Sequence, residues 1–254
     1  MDNSNTMKIL GVIPARYAST RFPAKPLVDL GGKSMIQRVY EQVKQSNSLH
    51  HIVVATDHPE IFQHVQNFRG DVCMTNENHV SGTDRCYEAL QLQPEQFDYV
   101  INIQGDEPFI QPDQIDLLAG KLNGQTEIAT LVKAIDQHSA LFNPNVVKAV
   151  LSKEGQALYF SRSIIPHIRN AHESLWLEKH VFYKHIGMYA YRTDILERIT
   201  KLEVSSLEKA ESLEQLRWLE NGFKITVAET FTETVGIDTP EDLLKALEQL
   251  QNQK

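Results

Sequence analysis

The first half of the chain alternates between short apolar runs and segments in which apolar residues recur at helical spacing. The apolar runs predict buried strands over residues 9–13, 52–55, 71–74 and 98–103. The helical spacing predicts helices over residues 34–44, 59–67, 83–92 and 112–122. Strands and helices that alternate in this way build βαβ units, so we expect a mostly parallel sheet covered by helices. Ligands then bind beyond the carboxyl ends of the strands, in the loops after Ile13, Ala55 and Ile103.

After residue 128 the pattern becomes richer in strands. We expect strands over residues 128–135, 146–151, 157–160, 185–191 and 224–228. Amphipathic helices are predicted over 207–221 and 240–249, and Gly222 stands where the first would end in a left-handed cap. The polar stretch 166–181 is expected to form a mobile loop. The whole pattern predicts one continuous α/β domain, in which an antiparallel portion is inserted into a mostly parallel sheet.

Composition and charge narrow the class of protein. Of the 254 residues 41% are hydrophobic, as in globular proteins, and the formal net charge of -8 gives no sign of a basic surface for nucleic acid. No segment has the ~20 apolar residues that span a bilayer, and the polar start lacks the pattern of a secretory signal. Cys73 and Cys86 have no CxxC partner, which favours reduced thiols over a metal site or a disulfide. We therefore expect a cytoplasmic protein that binds neither membranes nor nucleic acids.

The loop after the first strand concentrates positive charge in an acidic chain. Arg16, Arg21 and Lys25 are spaced along it, among small residues such as Ala15 and Ser19 that leave backbone N–H groups accessible. A triphosphate requires cations and open amides, because both stabilise the charge of the leaving pyrophosphate. A solvated loop without specific function is the alternative, but the prolines at 14, 23 and 26, which limit its freedom, favour binding. The loop lacks the glycines of a dinucleotide fold or of a Walker turn.

Two acidic turns are candidate metal sites. Asp106 follows the strand 98–103, beside Gln104, whose amide could bind a base or a sugar hydroxyl. A carboxylate at this end of a strand, opposite a triphosphate loop, is suited to Mg²⁺, although Gly-Asp pairs are also common in plain turns. Asp238 precedes a helix that Thr239 caps, so the residue pattern alone favours a capping role for it.

Polar residues elsewhere could line a pocket for substrates. Ser81 and Gly82 begin a helix whose amides could face a nucleotide, or the serine could simply cap that helix. Arg162 offers a guanidinium fork for a carboxylate or hydroxyls. His185 and Tyr189 would share one face of a strand, which favours a polar pocket more than a lone histidine would.

At least six segments, in order from Lys8 to Leu247, resemble the 3-deoxy-D-manno-octulosonate (Kdo) cytidylyltransferase family. The most specific are the basic loop, which reads Ile-Pro-Ala-Arg-Tyr-Ala-Ser-Thr-Arg-Phe-Pro-Ala-Lys-Pro-Leu, and the turns Gln-Gly-Asp-Glu-Pro and Gly-x-Asp-Thr-Pro-Glu-Asp. The resemblance implies a fold like that of nucleotide-diphospho-sugar transferases, related to the Rossmann fold, in a homodimer that uses Mg²⁺. It implies a nucleotide-binding half at residues 8–135, a sugar-binding and dimerisation portion at 136–235, and a returning metal-ligand segment with the closing helix at 236–254.

The resemblance also assigns residues to roles. It places nucleotide contacts at Pro14, Ala15, Arg16, Ser19, Arg21, Lys25, Ser81, Gly82 and Gln104. It places Kdo contacts at Gln104, Arg162, His185, Tyr189, Glu214 and Gln215, although the helical pattern alone would leave the last two facing solvent. Asp106 and Asp238 would bind magnesium and would form the catalytic set together with Arg16 and Lys25.

The implied reaction joins CMP to Kdo, because the anomeric hydroxyl of Kdo attacks the α-phosphate of CTP and pyrophosphate leaves. No side chain stands out as a general base, so positioning and charge stabilisation are expected to carry most of the catalysis. Family membership further implies a role in lipopolysaccharide assembly. The alternatives are another acidic sugar such as 8-amino-Kdo or sialate, a sugar phosphate, or a non-catalytic nucleotide-binding regulator. The pair Asp106 and Asp238 argues against a regulator, because sensing a nucleotide does not require a metal site.

Overall fold

The computed structural model describes residues 7–18, 22–233, 236–237 and 239–252. The chain divides into two compact units, of which unit 1 comprises Met1–Ala119 with Thr234–Lys254 and unit 2 comprises Gly120–Glu233. The first boundary between the units falls at residue 119, whereas the predicted nucleotide-binding half runs to residue 135. None of the helices in the described ranges combines the length and the apolar composition that a bilayer crossing requires.

Unit 1 is a parallel sheet with helices packed on it. Its strands are β1 (Ile9–Ala15), β2 (His51–Thr56), β3 (Val72–Met74) and β4 (Tyr99–Asn102). They are hydrogen-bonded in the order β3-β2-β1-β4, and every pair is parallel. The helices are α1 (Met35–Val43), α2 (Pro59–Asn67), α3 (Gly82–Gln91) and α4 (Pro112–Ala119).

The core of unit 1 follows from its apolar pattern. β1 and β4 are buried along almost their whole lengths, as expected of strands covered on both faces. α1 buries the predicted stripe from Met35 to Val43, and the Ser34 hydroxyl caps the helix by accepting the N–H of Gln37 at 3.2 Å. Because β1 and β4 are parallel neighbours, from Ile9 opposite Tyr99 to Val12 opposite Asn102, the loops that leave their carboxyl ends start side by side.

Unit 2 is the strand-rich portion. Its strands are β5 (Ile128–Ala134), β6 (Lys148–Leu151), β7 (Ala157–Ser161), β8 (Tyr183–Arg192) and β9 (Ile225–Glu229). β8 pairs antiparallel with β5 and β6, β6 pairs antiparallel with β7, and β9 pairs parallel with β5. The helices are α5 (His138–Phe142), α6 (Trp176–Lys179), α7 (Thr193–Ile199), α8 (Ser206–Glu211) and α9 (Gln215–Glu220). The chain then re-enters unit 1 with α10 (Pro240–Asn252), and the predicted α/β class with an inserted antiparallel portion is confirmed.

The predicted helix 207–221 is wrong in one respect, because the chain breaks it into α8 and α9. Ser212 lies between them with a left-handed φ of 53°. The Arg162 guanidinium donates to the carbonyls of Glu211 at 2.7 Å and Ser212 at 3.4 Å, and these groups would otherwise continue the helix. A residue far away in the sequence thus binds the carbonyls at the break. Gly222 does adopt the predicted left-handed conformation after α9, with a φ of 79°.

The segment 166–181, expected to be a mobile loop, contains helical turns, and the short helices α5 and α7 were not predicted. The segment contains the one-turn 3-10 helix Glu173–Leu175 and then α6, which Trp176 anchors. Trp176 is buried against Ile135, Leu141 and Phe182, and its indole N–H donates to the Ala171 carbonyl at 3.1 Å. One buried aromatic side chain thus fixes a polar segment that has no periodic pattern.

Replacement of this anchor is expected to destabilise unit 2. Trp176→Ala should lower the free energy of unfolding by ~3–5 kcal/mol, because it removes a large buried side chain. It should also make residues 166–181 sensitive to limited proteolysis. The matched control is Leu175→Ala, since Leu175 is the preceding residue but is exposed, and it should change stability by less than ~0.5 kcal/mol. Equal urea unfolding curves for the two variants would contradict the anchoring role.

Candidate active site

A cavity of about 400 Å³ opens in unit 1 beyond the carboxyl ends of β1 and β4. Its lining comprises Pro14, Ala15, Arg16, Ala18, Lys25, Pro26, Gly82, Gln104, Gly105 and Asp106. The structure therefore brings together most of the residues that the sequence analysis assigns to the nucleotide. Ser19 and Arg21, which belong to the same prediction, lie outside the described residues.

The close approach of two loops shapes the floor of this cavity. A Cβ atom at Gly105 would lie 2.5 Å from the carbonyl oxygen of Pro14, a distance that no side chain tolerates. Glycine is therefore required at position 105 because the loop after β4 touches the end of β1. This contact constrains the residue more than the turn that a Gly-Asp pair indicates. This contact sets Gln104 and Asp106 beside the first residues of the basic loop.

Opposite charges meet inside the cavity. The Lys25 ammonium lies 2.7 Å from Asp106 Oδ2, with both side chains partly buried, while Arg16 is exposed at the cavity wall. Lys25 begins the 3-10 turn Lys25–Leu27, and a left-handed Ala24 with a φ of 54° precedes it. A phosphate group in this cavity would find an ammonium and a guanidinium, and such cations stabilise developing negative charge.

The segment that carries Asp238 returns to the same place. The Ile237 N–H donates to the Asp106 carbonyl oxygen at 2.9 Å, while Asp238 itself lies outside the described residues. The Thr239 hydroxyl accepts the N–H of Asp242 at 3.2 Å and so caps α10, which is the predicted cap. The cap is thus supplied by Thr239.

The donor chemistry at this point fits magnesium. Mg²⁺ is usually held by one or two carboxylates together with waters and substrate phosphates, and it does not need a closed protein cage. Asp106 supplies one such carboxylate, and Asp238, the predicted second ligand, directly follows Ile237 in the sequence. In the described ranges no group of three His, Cys, Asp or Glu side chains is arranged to hold a metal. The assignment of Asp106 and Asp238 as ligands stays a prediction.

Ser81 takes the simpler of its two predicted roles in the structure. Its hydroxyl accepts the Asp84 N–H at 3.1 Å and caps α3. The next residue, Gly82, lines the cavity, so the amino-terminal end of α3 faces the same space as the basic loop. A helix amino terminus in this position favours a negatively charged or hydrogen-bond-accepting ligand.

The predicted sugar residues of unit 2 form a partly buried aromatic cluster. The rings of His185 and Tyr189 lie 5.1 Å apart, so they share one face of β8 as predicted. The ring of Trp218 makes an edge contact with Tyr189 at 5.0 Å. Burial, followed by the negative charge of Glu214, raises the pKa of Tyr189, which keeps its phenol protonated. This surface can offer hydrogen bonds from neutral groups.

Thr130 on β5 orders His185, and the sequence analysis missed it. The Thr130 hydroxyl lies 2.8 Å from the Met188 carbonyl and 3.0 Å from His185 Nε2. Because the hydroxyl hydrogen is directed to the carbonyl, Nε2 is assigned as the donor and Nδ1 as an acceptor. Burial lowers the pKa of His185 to about 3, so the ring is neutral at pH 7. A threonine inside an apolar strand was the only signal for this role.

The other predicted sugar residues stand in different environments. Gln215 is buried at the start of α9, and Glu214 is partly buried, so neither faces solvent as the helical pattern alone suggested. Arg162 donates through its guanidinium to three backbone carbonyls, those of Glu211, Ser212 and Pro144. Its observed contacts therefore hold the turn that precedes Glu214.

Two further groups escaped the sequence analysis. The Asp57 carboxylate, in the loop after β2, accepts the backbone N–H of Tyr17 at 3.3 Å. That loop had been singled out by its place at a strand end, but no residue in it was chosen. Lys148 is fully buried and donates to the carbonyls of Asn143, Val146 and Arg162 at 2.8–2.9 Å. Burial, then the Arg162 charge, lowers the pKa of Lys148.

Comparison with known proteins agrees with this geometry. The sequence model of the cytidylyltransferase family matches residues 10–225. A 3-deoxy-manno-octulosonate cytidylyltransferase of Parabacteroides distasonis is 59% identical, covering 97% of this chain and 99% of the relative. A protein of the same name from Cytophaga hutchinsonii is 56% identical, covering 95% and 97%. A solved CMP:2-keto-3-deoxy-manno-octonic acid synthetase in complex with CTP superposes with a TM-score of 0.90 at 42% identity, covering 97% and 100%.

A fold of this kind with a cationic cavity at the strand ends defines a nucleotidyltransferase, and the family match makes it a cytidylyltransferase. By its near full-length identity to curated relatives, the chain belongs to the 3-deoxy-manno-octulosonate cytidylyltransferase family. The prediction of the family is thereby confirmed. A 4-diphosphocytidyl-2C-methyl-D-erythritol synthase of Anaerococcus prevotii, at 15% identity and a TM-score of 0.66, shares the fold alone.

The low pKa of His185 predicts how stability depends on pH. The pKa of His185 is about 3 in the folded protein and ~6.5 in the unfolded chain. The neutral ring therefore makes its full contribution to the free energy of unfolding above pH ~6.5, and this contribution is lost as pH falls towards 3. We expect the free energy of unfolding to fall in this window, by at most ~1.4 kcal/mol per pH unit from this group. His185→Gln should flatten the slope in urea unfolding series, whereas the exposed control His172→Gln should not. An unchanged slope in His185→Gln would contradict the assignment.

Proposed function

We infer that this protein transfers the cytidylyl group of CTP to Kdo, giving CMP-Kdo and pyrophosphate. The observation that carries the inference is the cavity at the ends of β1 and β4, where Lys25 meets Asp106 beside Arg16. The similar solved synthetase is described as a complex with CTP, and the curated relatives are named for Kdo and cytidylyl transfer. The cavity offers the cationic groups that the phosphates of a nucleoside triphosphate need.

The chemistry is an in-line displacement at phosphorus. The anomeric oxygen of Kdo forms a bond to the α-phosphorus of CTP, and the hydroxyl proton passes to solvent water. The bond from that phosphorus to the bridging oxygen breaks, and pyrophosphate takes the electron pair. Lys25 and Arg16 bind and orient the triphosphate and stabilise the charge that develops on it. Arg21 would add to this charge from the same loop. Gly82 and Gln104 also line the cavity, and we propose that the helix end and the Gln104 amide bind the nucleoside.

We propose that the enzyme depends on Mg²⁺, held by Asp106 and Asp238. When bound, the ion would neutralise phosphate charge and polarise phosphate oxygens. Lys25 Nζ already occupies one side of the Asp106 carboxylate, which keeps this group oriented towards the cavity. The Ile237 amide donates to the Asp106 carbonyl, and this observed contact between the two segments supports the proposal.

The sugar is proposed to meet His185, Tyr189, Glu214 and Gln215, with Gln104 on the nucleotide side. His185 is neutral and too weak a base to hold the proton of the anomeric hydroxyl at pH 7, because its pKa is about 3. Its acceptor nitrogen can instead receive a hydrogen bond from a sugar hydroxyl. Arg162 was predicted to contact the sugar, and its observed bonds to backbone carbonyls support an indirect contribution through Glu214.

A close analogue of the sugar is the main rival. 8-Amino-Kdo or sialate would present a carboxylate and hydroxyls to the same polar surface. A non-catalytic regulator would bind CTP without releasing pyrophosphate. Pyrophosphate release measured with a panel of nucleotides and acid sugars separates these options, since our proposal requires release from CTP only when Kdo is present.

We further propose a cytoplasmic homodimer that supplies CMP-Kdo for lipopolysaccharide assembly. Both cysteines are free thiols, and burial raises the pKa of Cys73 to about 11, as suits a reducing compartment. Unit 2 exposes Leu158 and Val181, which are 59% and 54% exposed, and a groove of about 470 Å³ lies against Val181. Among the described strands β7 pairs only with β6. A second copy of the chain would cover these apolar groups.

Asp106 is expected to be essential for turnover and dispensable for folding. Asp106→Asn keeps the shape but removes the charge, and it should lower kcat by on the order of 100-fold or more. Pyrophosphate release from CTP and Kdo over a range of Mg²⁺ concentrations is the measurement. Asp113→Asn makes the same change on the exposed first turn of α4 and should leave kcat within about twofold. Near-normal turnover of a folded Asp106→Asn variant at saturating Mg²⁺ would contradict this role.

The proposed homodimer predicts the mass of the protein in solution and how one substitution changes it. The protein should sediment at twice its chain mass of 28.9 kDa, and Val181→Asp should shift it towards the monomer, because a buried unpaired charge is costly. Leu92→Asp, at a residue of unit 1 that is 51% exposed, is the control and should leave the mass unchanged. A wild-type protein that is monomeric at micromolar concentration would refute the proposal.

A further inference from the structure

A buried ion pair in unit 1 lies close to the basic loop, where Asp57 lines a second cavity together with Arg16 and Tyr17. Arg85 on α3 lies 2.8 Å from Asp57 Oδ2 in the loop after β2, and their side chains are 0% and 10% exposed. The same guanidinium donates to the Thr75 hydroxyl at 2.5 Å, and that hydroxyl donates to the Thr56 carbonyl. Arg85 is thus fixed to two loops at the carboxyl ends of neighbouring strands. Three residues before it, Gly82 lines the cavity.

The second oxygen of Asp57 reaches the basic loop. Asp57 Oδ1 accepts the backbone N–H of Tyr17 at 3.3 Å, and Tyr17 directly follows Arg16. The Tyr17 ring stacks on His58 with centroids 3.7 Å apart, and the Tyr17 carbonyl accepts the Ala24 N–H at 3.1 Å. The amide, the ring and the carbonyl of Tyr17 are therefore all held. Arg16 lies between this anchored residue and the end of β1.

We propose that Asp57 is a positioning residue, which holds the Tyr17 amide so that Arg16 stays directed at the triphosphate of CTP. Arg85 keeps Asp57 in place and joins it to α3, so the two walls of the cavity, the loop at Arg16 and the helix end at Gly82, are linked through one carboxylate. The inference rests on the proposed role of the loop as the triphosphate site. It adds residues that do not touch the nucleotide.

The physical reason is the conformational entropy that an arginine loses when it binds a phosphate group. A flexible arginine on an exposed loop must lose conformational freedom when it binds phosphate, and a backbone already fixed at the next residue reduces that loss. A charged acceptor gives a stronger bond to an amide than a neutral one. Buried ion pairs contribute little net stability because of desolvation, so this pair is better explained by the geometry that it imposes.

Two double variants separate the acceptor from the ion pair. Asp57→Ala with Arg85→Met removes both charges and also the acceptor for the Tyr17 amide. Asp57→Asn with Arg85→Met removes the same charges but leaves an amide oxygen in the same place. Neither leaves an unpaired charge in the core. The measurements are KM for CTP, KM for Kdo and kcat, together with calorimetric titration of CTP.

We expect Asp57→Ala with Arg85→Met (the Ala/Met variant) to raise KM for CTP about tenfold or more and to leave KM for Kdo within about twofold. We expect Asp57→Asn with Arg85→Met (the Asn/Met variant) to keep KM for CTP within about threefold of the wild-type value. His58→Ala keeps the ion pair and should raise KM for CTP about threefold; it decides the question if the Ala/Met variant does not fold. Equal KM values for CTP in the two double variants, a parallel change in both KM values, or an unchanged KM in His58→Ala overturns the proposal.

Two controls complete the test. Glu208→Gln with Arg217→Met removes a comparably buried pair of unit 2, with side chains 13% and 8% exposed, and should leave KM for CTP unchanged. A rise there as large as in the Ala/Met variant would show a general stability effect and would overturn the inference. Arg16→Ala tests the proposed function itself. If Arg16→Ala raises KM for CTP while the Asp57 variants do not, the positioning role of Asp57 is wrong but the loop remains the proposed triphosphate site. If Arg16→Ala does not change KM for CTP, both the proposed triphosphate site and the role of Asp57 are wrong.

Discussion

The candidate nucleotide site is built around the ion pair between Lys25 and Asp106. It joins the basic loop after β1 to the acidic turn after β4, at the one edge of the parallel sheet where both strands end. An acidic chain with a net charge of -8 can bind a polyanion only if its cations are concentrated and fixed. Gly105 makes the arrangement possible, because any side chain there would collide with the Pro14 carbonyl.

The two units provide different chemistry. Unit 1 offers charged groups in an open cavity, which suits phosphates. Unit 2 offers a partly buried cluster in which the environment keeps His185 and Tyr189 uncharged, through a lowered pKa in the first and a raised pKa in the second. Neutral donors and acceptors suit sugar hydroxyls, since they bind without the desolvation cost of an ion. This division agrees with membership of a family named for a nucleotide and a sugar acid.

Arginines in this chain show that one residue type serves different purposes. Arg16 is exposed at the cavity wall, whereas Arg162, Arg85 and Arg217 bind backbone carbonyls or buried carboxylates. A sequence reveals that an arginine is present but not how many of its donors the fold already uses. For this reason Arg162, which motif similarity assigns to the sugar, has observed contacts that hold the break between α8 and α9.

The sequence alone determined the parallel strands of unit 1, the loops that carry the site and the family, because strand periodicity and the basic and acidic segments are local signals. It placed Pro14, Lys25, Gln104 and Asp106 correctly at one cavity, since strand ends in a parallel sheet meet at one edge. Only the tertiary structure decided the break in the helix 207–221, the order of the segment around Trp176 and the partners of Asp57 and His185. Each of these depends on a contact between residues distant in the chain, whose energy no local pattern records.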